Sequence, residues 1–276
     1  MRDPMNNSGT IAGAPPVQRS NLRAALAWLA NSALQMLPLA ALVIVWEIAS
    51  LSSASLALML PPPTEVVSAA VQLIRDGTLQ ADTFASLRRV FVALGVAAAI
   101  GLPLGLLMGM SKRVSWFFEP IVDFFRPIPP IAWIPLSILW LGISEAQNEF
   151  IIFLAAFFPI LLNSVQGVRQ VDVQLVRAAK TLGASPLSIA LTVLVPGALP
   201  SIFVGFRVGI GIAWMALVAG EMVAASSGLG FLIMQGRQLF RPDFIIVGMV
   251  AIGIIGLGLD FAVRLARKWI MRWEQV

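Results

Sequence analysis

The sequence predicts an all-α integral membrane protein with six transmembrane helices, and three observations carry that prediction. Of its 276 residues 58% are hydrophobic and 12% charged, and six runs are long enough and apolar enough to span lipid. A soluble domain keeps about a quarter of its residues charged. Half that share, with a mean hydropathy of +0.88, points to a hydrocarbon solvent.

The chain has no cysteine and no histidine. That removes disulfides, thiolate nucleophiles, the commonest general base and every zinc motif built on His or Cys. The net charge is +5, but the basic residues form no stripe, so a membrane rather than a nucleic acid accounts for them.

Residues 1–24 contain Asn6, Asn7, Gly9, Gly13, Pro15 and Pro16 and few large apolar side chains, and are expected to be a disordered tail. They lack an apolar core followed by a small-residue cleavage site, so no signal peptide is expected. Residues 25–276 form the membrane domain.

A spanning helix needs about 20 apolar residues. The expected spans are 31–51, 88–110, 121–142, 149–166, 201–224 and 244–264. The third is interrupted by Pro127, Pro129, Pro130 and Pro135. Between the first two lies 61–82, opened by three prolines, amphipathic and too polar to span, which reads as an interfacial helix.

Basic residues set orientation. With the N-terminus in the cytoplasm, the cytoplasmic segments carry twelve Lys or Arg and the opposite side five, Arg88 and Arg89 among them. Both termini are therefore expected to be cytoplasmic.

The longest loop, 167–200, carries structural signals of its own. Residues 172–182 have helical spacing, Gly183 suits a helix C-terminus, Ser185 suits an N-cap and Pro186 a first helical position. A second short helix would then end at Pro196. Ala178, Ala179 and Gly183 would let a partner approach closely, and from the residues alone a docking surface and a solvated connector fit equally well.

The run Arg177-Ala178-Ala179-Lys180-Thr181-Leu182-Gly183, nine residues, then Val193-Leu194-Val195-Pro196 resembles the signature loop of bacterial ABC-importer permeases. Arg177 stands where that family has Glu, and Val193 replaces Ile. Leu60-Pro61-Pro62-Pro63-Thr64-Glu65-Val66, the run from Arg126 to Leu136, Gly197-Ala198-Leu199-Pro200 and Gly228-Leu229-Gly230 extend the likeness to the taurine, sulfonate and nitrate permeases.

The resemblance implies a type I importer (MetI-like) permease core with its coupling loop at about 167–200. Arg177, Ala178, Ala179, Gly183, Ala184, Ser185, Pro186 and Leu187 would contact the ATPase. The implied assembly holds a second copy of the chain, two cytoplasmic ATPase subunits and an external solute-binding protein, in a bacterial inner membrane. ATP and Mg would be bound by the ATPase subunits and no cofactor by this chain. The implied cargo is a small organic anion, taurine or another sulfonate first, with nitrate and aromatic acids as alternatives.

The expected passage residues are Arg126, Pro129, Pro130, Trp133 and Glu221. Prolines free backbone carbonyls, which are tolerated at membrane depth only against protein or water, and Arg126 offers a forked donor to a sulfonate or carboxylate. The competing reading pairs Arg126 with Asp123 at an interface. Glu221 and Arg207 lie 14 residues apart in one span, roughly 21 Å along a helix, so they are not partners within it, and each is expected to make an interfacial or interhelical contact. Gly101, Gly105 and Gly109, and Gly205 and Gly209, form small faces for close packing. Trp116, Trp269 and Trp273 suit the membrane interface.

No phosphate-binding loop and no Gly-x-Ser-x-Gly elbow occurs. A secondary transporter would be expected to carry a broken helix in each of two repeat halves. A structural subunit of a larger complex would leave the 167–200 loop unexplained, and an intramembrane enzyme would lack a catalytic set.

Overall fold

The computed structural model describes residues 37, 38 and 40–271. The 1–24 tail, most of the first half of span one, and Trp273 lie outside the described residues. The chain divides into two units, 1–58 and 59–276. In the first, the described part of span one is the apolar helix α1 (Ala40–Leu51). Helix α2 (Ala54–Met59) crosses the boundary between the units.

Helices are the regular elements of the second unit among its described residues: α3 (Pro63–Arg75), α4 (Thr78–Met110), α5 (Lys112–Phe125), a 3-10 turn (Pro130–Trp133), α6 (Ile134–Leu141), α7 (Glu145–Gln170), α8 (Val173–Thr181), α9 (Pro186–Ile189), α10 (Val195–Ala224), α11 (Leu229–Gln238) and α12 (Pro242–Ile270). By length and composition five stretches can cross a membrane, and the bent pair of α5 with the 3-10 turn and α6 makes six. Expected spans two, four, five and six are α4, α7, α10 and α12. The fifth straight stretch, Leu56–Arg75, has a mean hydropathy of 1.2, against 2.0 to 2.4 for the other four.

Three boundaries differ from expectation. The segment 61–82 is two helices, because Gly77 at φ 76° ends the turn after α3 and α4 starts at Thr78. Span two thus begins ten residues before the expected 88, and Arg88 and Arg89, counted with the outer side at the mouth of that span, lie three turns inside a helix. The amphipathic character of α3 is retained, with Val66, Ala69 and Leu73 buried on one face. Span five does not start afresh after Pro196. One helical path runs from Pro186 to Ala224, widened by a π turn at Ala190–Leu194. Proline clashes with the carbonyl four residues back. The π turn, where Val195 N–H bonds Ala190 O, opens the spiral just before Pro196.

The core forms around α7, which packs against α4 on one side and α10 on the other. Ile151, Ile152, Ala156 and Ile160 are fully enclosed there by Val90, Ala97, Ala213 and Leu217. The glycine faces explain the close approach. A Cβ on Gly105 would lie 2.7 Å from Leu161 O, and one on Gly205 2.9 Å from Pro159 O.

Candidate functional site

The 167–200 loop is shaped by local chemistry. Asp172 caps α8 by accepting from Gln174 N–H at 2.8 Å. At the other end Gly183 N–H bonds Lys180 O and Ala184 N–H bonds Ala179 O, each at 3.0 Å, which is the Schellman arrangement. It needs a left-handed residue, and Gly183 has φ 80°. Ser185 caps α9 by accepting from Ser188 N–H at 3.2 Å, with Pro186 at the first turn.

Leu182 and Leu187, 87% and 69% exposed, flank this turn, while Ile189 is buried behind them. Arg177 and Ala178 are exposed and Ala179 and Ala184 half-buried. The loop thus presents apolar side chains around a stiff, capped corner.

The proline-rich span is broken. Helices α5 and α6 meet at 84° through the 3-10 turn, because Pro127, Pro129 and Pro130 have no N–H to offer. Arg126 and Pro130 line a cavity of about 260 Å³ with Ile128, Asn163, Val208 and Ile212. Arg126 also reaches a neighbouring cavity of about 400 Å³ bearing Glu119, Asp123 and Arg169. Its side chain is 53% exposed, and its nearest carboxylate, Asp123, is 4.0 Å away. Trp133 is set apart, its ring tilted against Phe125 at 5.9 Å and lining an aromatic pocket with Phe118 and Phe157. Pro129 is exposed beside the break. Arg207 finds its partner on another helix, donating to Asp260 of α12 at 2.7 Å.

Glu221 lies in none of these cavities. It is 1% exposed and belongs to a buried ionic network that sequence reasoning missed. Arg89, also 1% exposed, places all five of its N–H donors. Nε and Nη2 grip Glu145 at 2.8 and 2.6 Å, Nη1 donates to Glu221 at 2.6 Å, and Nη1 and Nη2 reach the carbonyl and hydroxyl of Ser227 at 2.7 and 2.8 Å. Arg88 adds a contact to Glu145 at 2.9 Å.

The start of α11 is bound into the same network. Its first N–H groups have no intrahelical acceptors, and each finds a side chain from another helix. Gly228 N–H donates to Asp82 at 2.8 Å, Leu229 N–H to Ser86 at 2.9 Å, and Gly230 N–H to Glu221 at 2.9 Å. The Ser86 hydroxyl in turn donates to Glu221 at 2.8 Å. Gly228 takes φ 115°, and a Cβ there would overlap the Glu221 carboxylate. This accounts for the Gly-Leu-Gly run. The network ties α4, α7, α10 and α11 together and leaves Glu221 no free lone pair facing an opening.

Residues 101–274 match the family described as binding-protein-dependent transport system inner membrane component. The taurine transport system permease protein TauC of Escherichia coli strain K12 is 37% identical over 238 residues, 84% of this chain and 86% of that protein. The nitrate import permease protein NrtB of Synechocystis is 34% identical over 246 residues, covering 86% and 88%. Among solved structures, an inward-facing form of the MetNI methionine ABC transporter superposes with a TM-score of 0.57 at 22% identity, over 69% of this chain and 93% of that one.

Proposed function

Because the chain belongs to the family of binding-protein-dependent inner membrane transport components, and is thus an ABC-importer permease, we propose that it works as a homodimer. Two cytoplasmic ATPase subunits supply the energy, and an external binding protein delivers a small organic anion, taurine or another sulfonate first. ATP and Mg belong to the ATPase subunits, and this chain carries no catalytic group or cofactor of its own. Both termini and the 167–200 loop face the cytoplasm. The Arg177–Leu187 segment seats in the ATPase, and closure of the ATPase pair moves it. Arg126, beside the broken span, offers the passing anion a forked donor.

The observation that carries this reading is the capped corner at Gly183, with Leu182 and Leu187 turned outward on the family's signature loop. Nitrate is the competing cargo, since a nitrate permease is nearly as similar as a taurine permease. Gly183→Val tests the coupling. A Cβ there meets nothing within 4 Å inside the chain, so membrane insertion should survive. ATPase stimulation by loaded binding protein and solute uptake should fall together, while Ser188→Ala stays close to wild type. Normal uptake by Gly183→Val in an assembled complex would overturn the assignment.

A further inference from the structure

Glu149 is an acid in a membrane-spanning helix that the fold leaves without a partner. Of the other acids on α7, α10 and α12, Glu145 and Glu221 hold Arg89, Asp243 holds Arg241, and Asp260 holds Arg207 and Arg264. The half-buried Glu149 side chain makes no hydrogen bond or ion pair with any described residue. Glu145, one turn earlier, takes both Arg88 and Arg89, so neither guanidinium is left for it. An ionisable side chain within a membrane span is costly and marks a functional site by default.

Glu149 lines a cavity of about 370 Å³ between α4 and α7, and its other walls are apolar, Val92, Val96, Ile100, Leu141 and Phe153 among them. Val92, Val96 and Ile100 follow one another at intervals of four on α4, on one helix face, and all three are exposed. They give the groove a length of roughly 12 Å along the helix. The two helices run parallel in a constant register. Arg89 meets Glu145, and a Cβ on Gly101 or Gly105 would meet Phe157 or Leu161, each pair 56 residues apart. Glu149 is therefore level with Ala93, about 6 Å from the first residue of α7. Past it, Val96, Ile100 and Phe153 carry the groove deeper into the bundle. The acid at the shallow end and the apolar run below it complement an amphiphile with a cationic head.

We infer that this groove holds a phospholipid whose headgroup ends in a primary ammonium, which donates to Glu149 while one acyl chain lies along Val96, Ile100 and Phe153. A primary ammonium brings three N–H donors to a carboxylate. A trimethylammonium brings none, and a glycerol headgroup brings no positive charge at all. A freely soluble amine would gain nothing from the apolar walls. Assigning the lipid to the outer leaflet rests on the topology proposed above.

The test is native mass spectrometry of the full chain with its co-purifying subunits, titrated with phosphatidylethanolamine, phosphatidylcholine or phosphatidylglycerol of equal chain length. Wild type should retain phosphatidylethanolamine in preference to both others. Glu149→Gln keeps the shape and removes the charge, and should lose roughly tenfold of that preference, the worth of one charge-assisted hydrogen bond. Glu149→Asp should keep most of it, and Asp76→Asn, an equal charge loss at an exposed position, should keep all of it. Equal retention of the three lipids by wild type would overturn the inference, as would an unchanged preference in Glu149→Gln. Displacement of phosphatidylethanolamine by millimolar ethanolamine would assign the groove to a soluble cation instead. Loss of oligomer in Glu149→Gln, with lipid preference intact, would make Glu149 a contact between copies. Retention is read without transport, so a negative here leaves the permease assignment standing, and a negative in the Gly183 assay leaves this site standing.

Discussion

Arg89 on α4 and Glu221 on α10, 132 residues apart, meet at 2.6 Å with neither side chain more than 1% exposed. A buried pair whose members also bond two serines, Glu145 and the start of α11 is expensive to break from one side. Arg89→Ala should cost about 3–5 kcal/mol, since it strands Glu221 without a counter-charge. Arg89→Met combined with Glu221→Leu should recover much of that loss, with Arg88 still present for Glu145. Thermal unfolding of the purified variants checks this, and strictly additive losses would mean that the two side chains are not energetically coupled.

Gly228 should be among the least replaceable residues outside the core. Its φ of 115° and the Glu221 carboxylate against it make Gly228→Ala cost at least about 1–3 kcal/mol. Gly95→Ala, in mid-helix with nothing within 4 Å, should be neutral or stabilising by up to about 1 kcal/mol. Unfolding midpoints that ranked the two variants equally would contradict this geometry.

For Arg126 the informative change is to lysine. If the guanidinium fork receives the anion, Arg126→Lys should slow uptake severalfold while the protein accumulates normally. Uptake by Arg126→Ala at the wild-type rate would reduce the residue to the neighbour of Asp123, 4.0 Å away.

Topology can be read directly, because the chain has no cysteine. A single cysteine at Ala184 should be modified by a membrane-impermeant maleimide only after the cytoplasmic side is opened. Labelling in intact cells would reverse the proposed orientation.

How far the sequence led depended on which rule each segment obeyed. The break in span three was legible in Pro127, Pro129 and Pro130, since three missing donors leave a helix no way through. The turn at Gly183 was legible too, because a left-handed C-terminus followed by Ser-Pro has few other solutions. The ionic network was overlooked for a specific reason. Asp82, Ser86 and Arg89 stand at i, i+4 and i+7 and share one face once the helix is known to start at Thr78. With the span begun at residue 88, two of the three fell outside it. Their partner across the bundle, Glu221, carries no local signal of the pairing. Pro196 misled in the other direction, because a stop signal was absorbed by a π turn.

That π turn has a mechanical consequence. Pro186 and Glu221 lie on one unbroken helical path of 39 residues, so the corner at Gly183 sits at the short end of a lever roughly 50 Å long. A tilt of a few degrees imposed near Pro186 arrives at Glu221 as a shift of several ångströms, larger than the reach of its bonds to Arg89, Ser86 and Gly230. Motion at one face of the bundle then has two outcomes at the other. Either the clasp travels with the lever and carries α4 and α11 along as a block, or it opens and frees α11. The widened turn at 190–194 lies near the loop end of that arm, so nearly the whole length between it and Glu221 is regular helix.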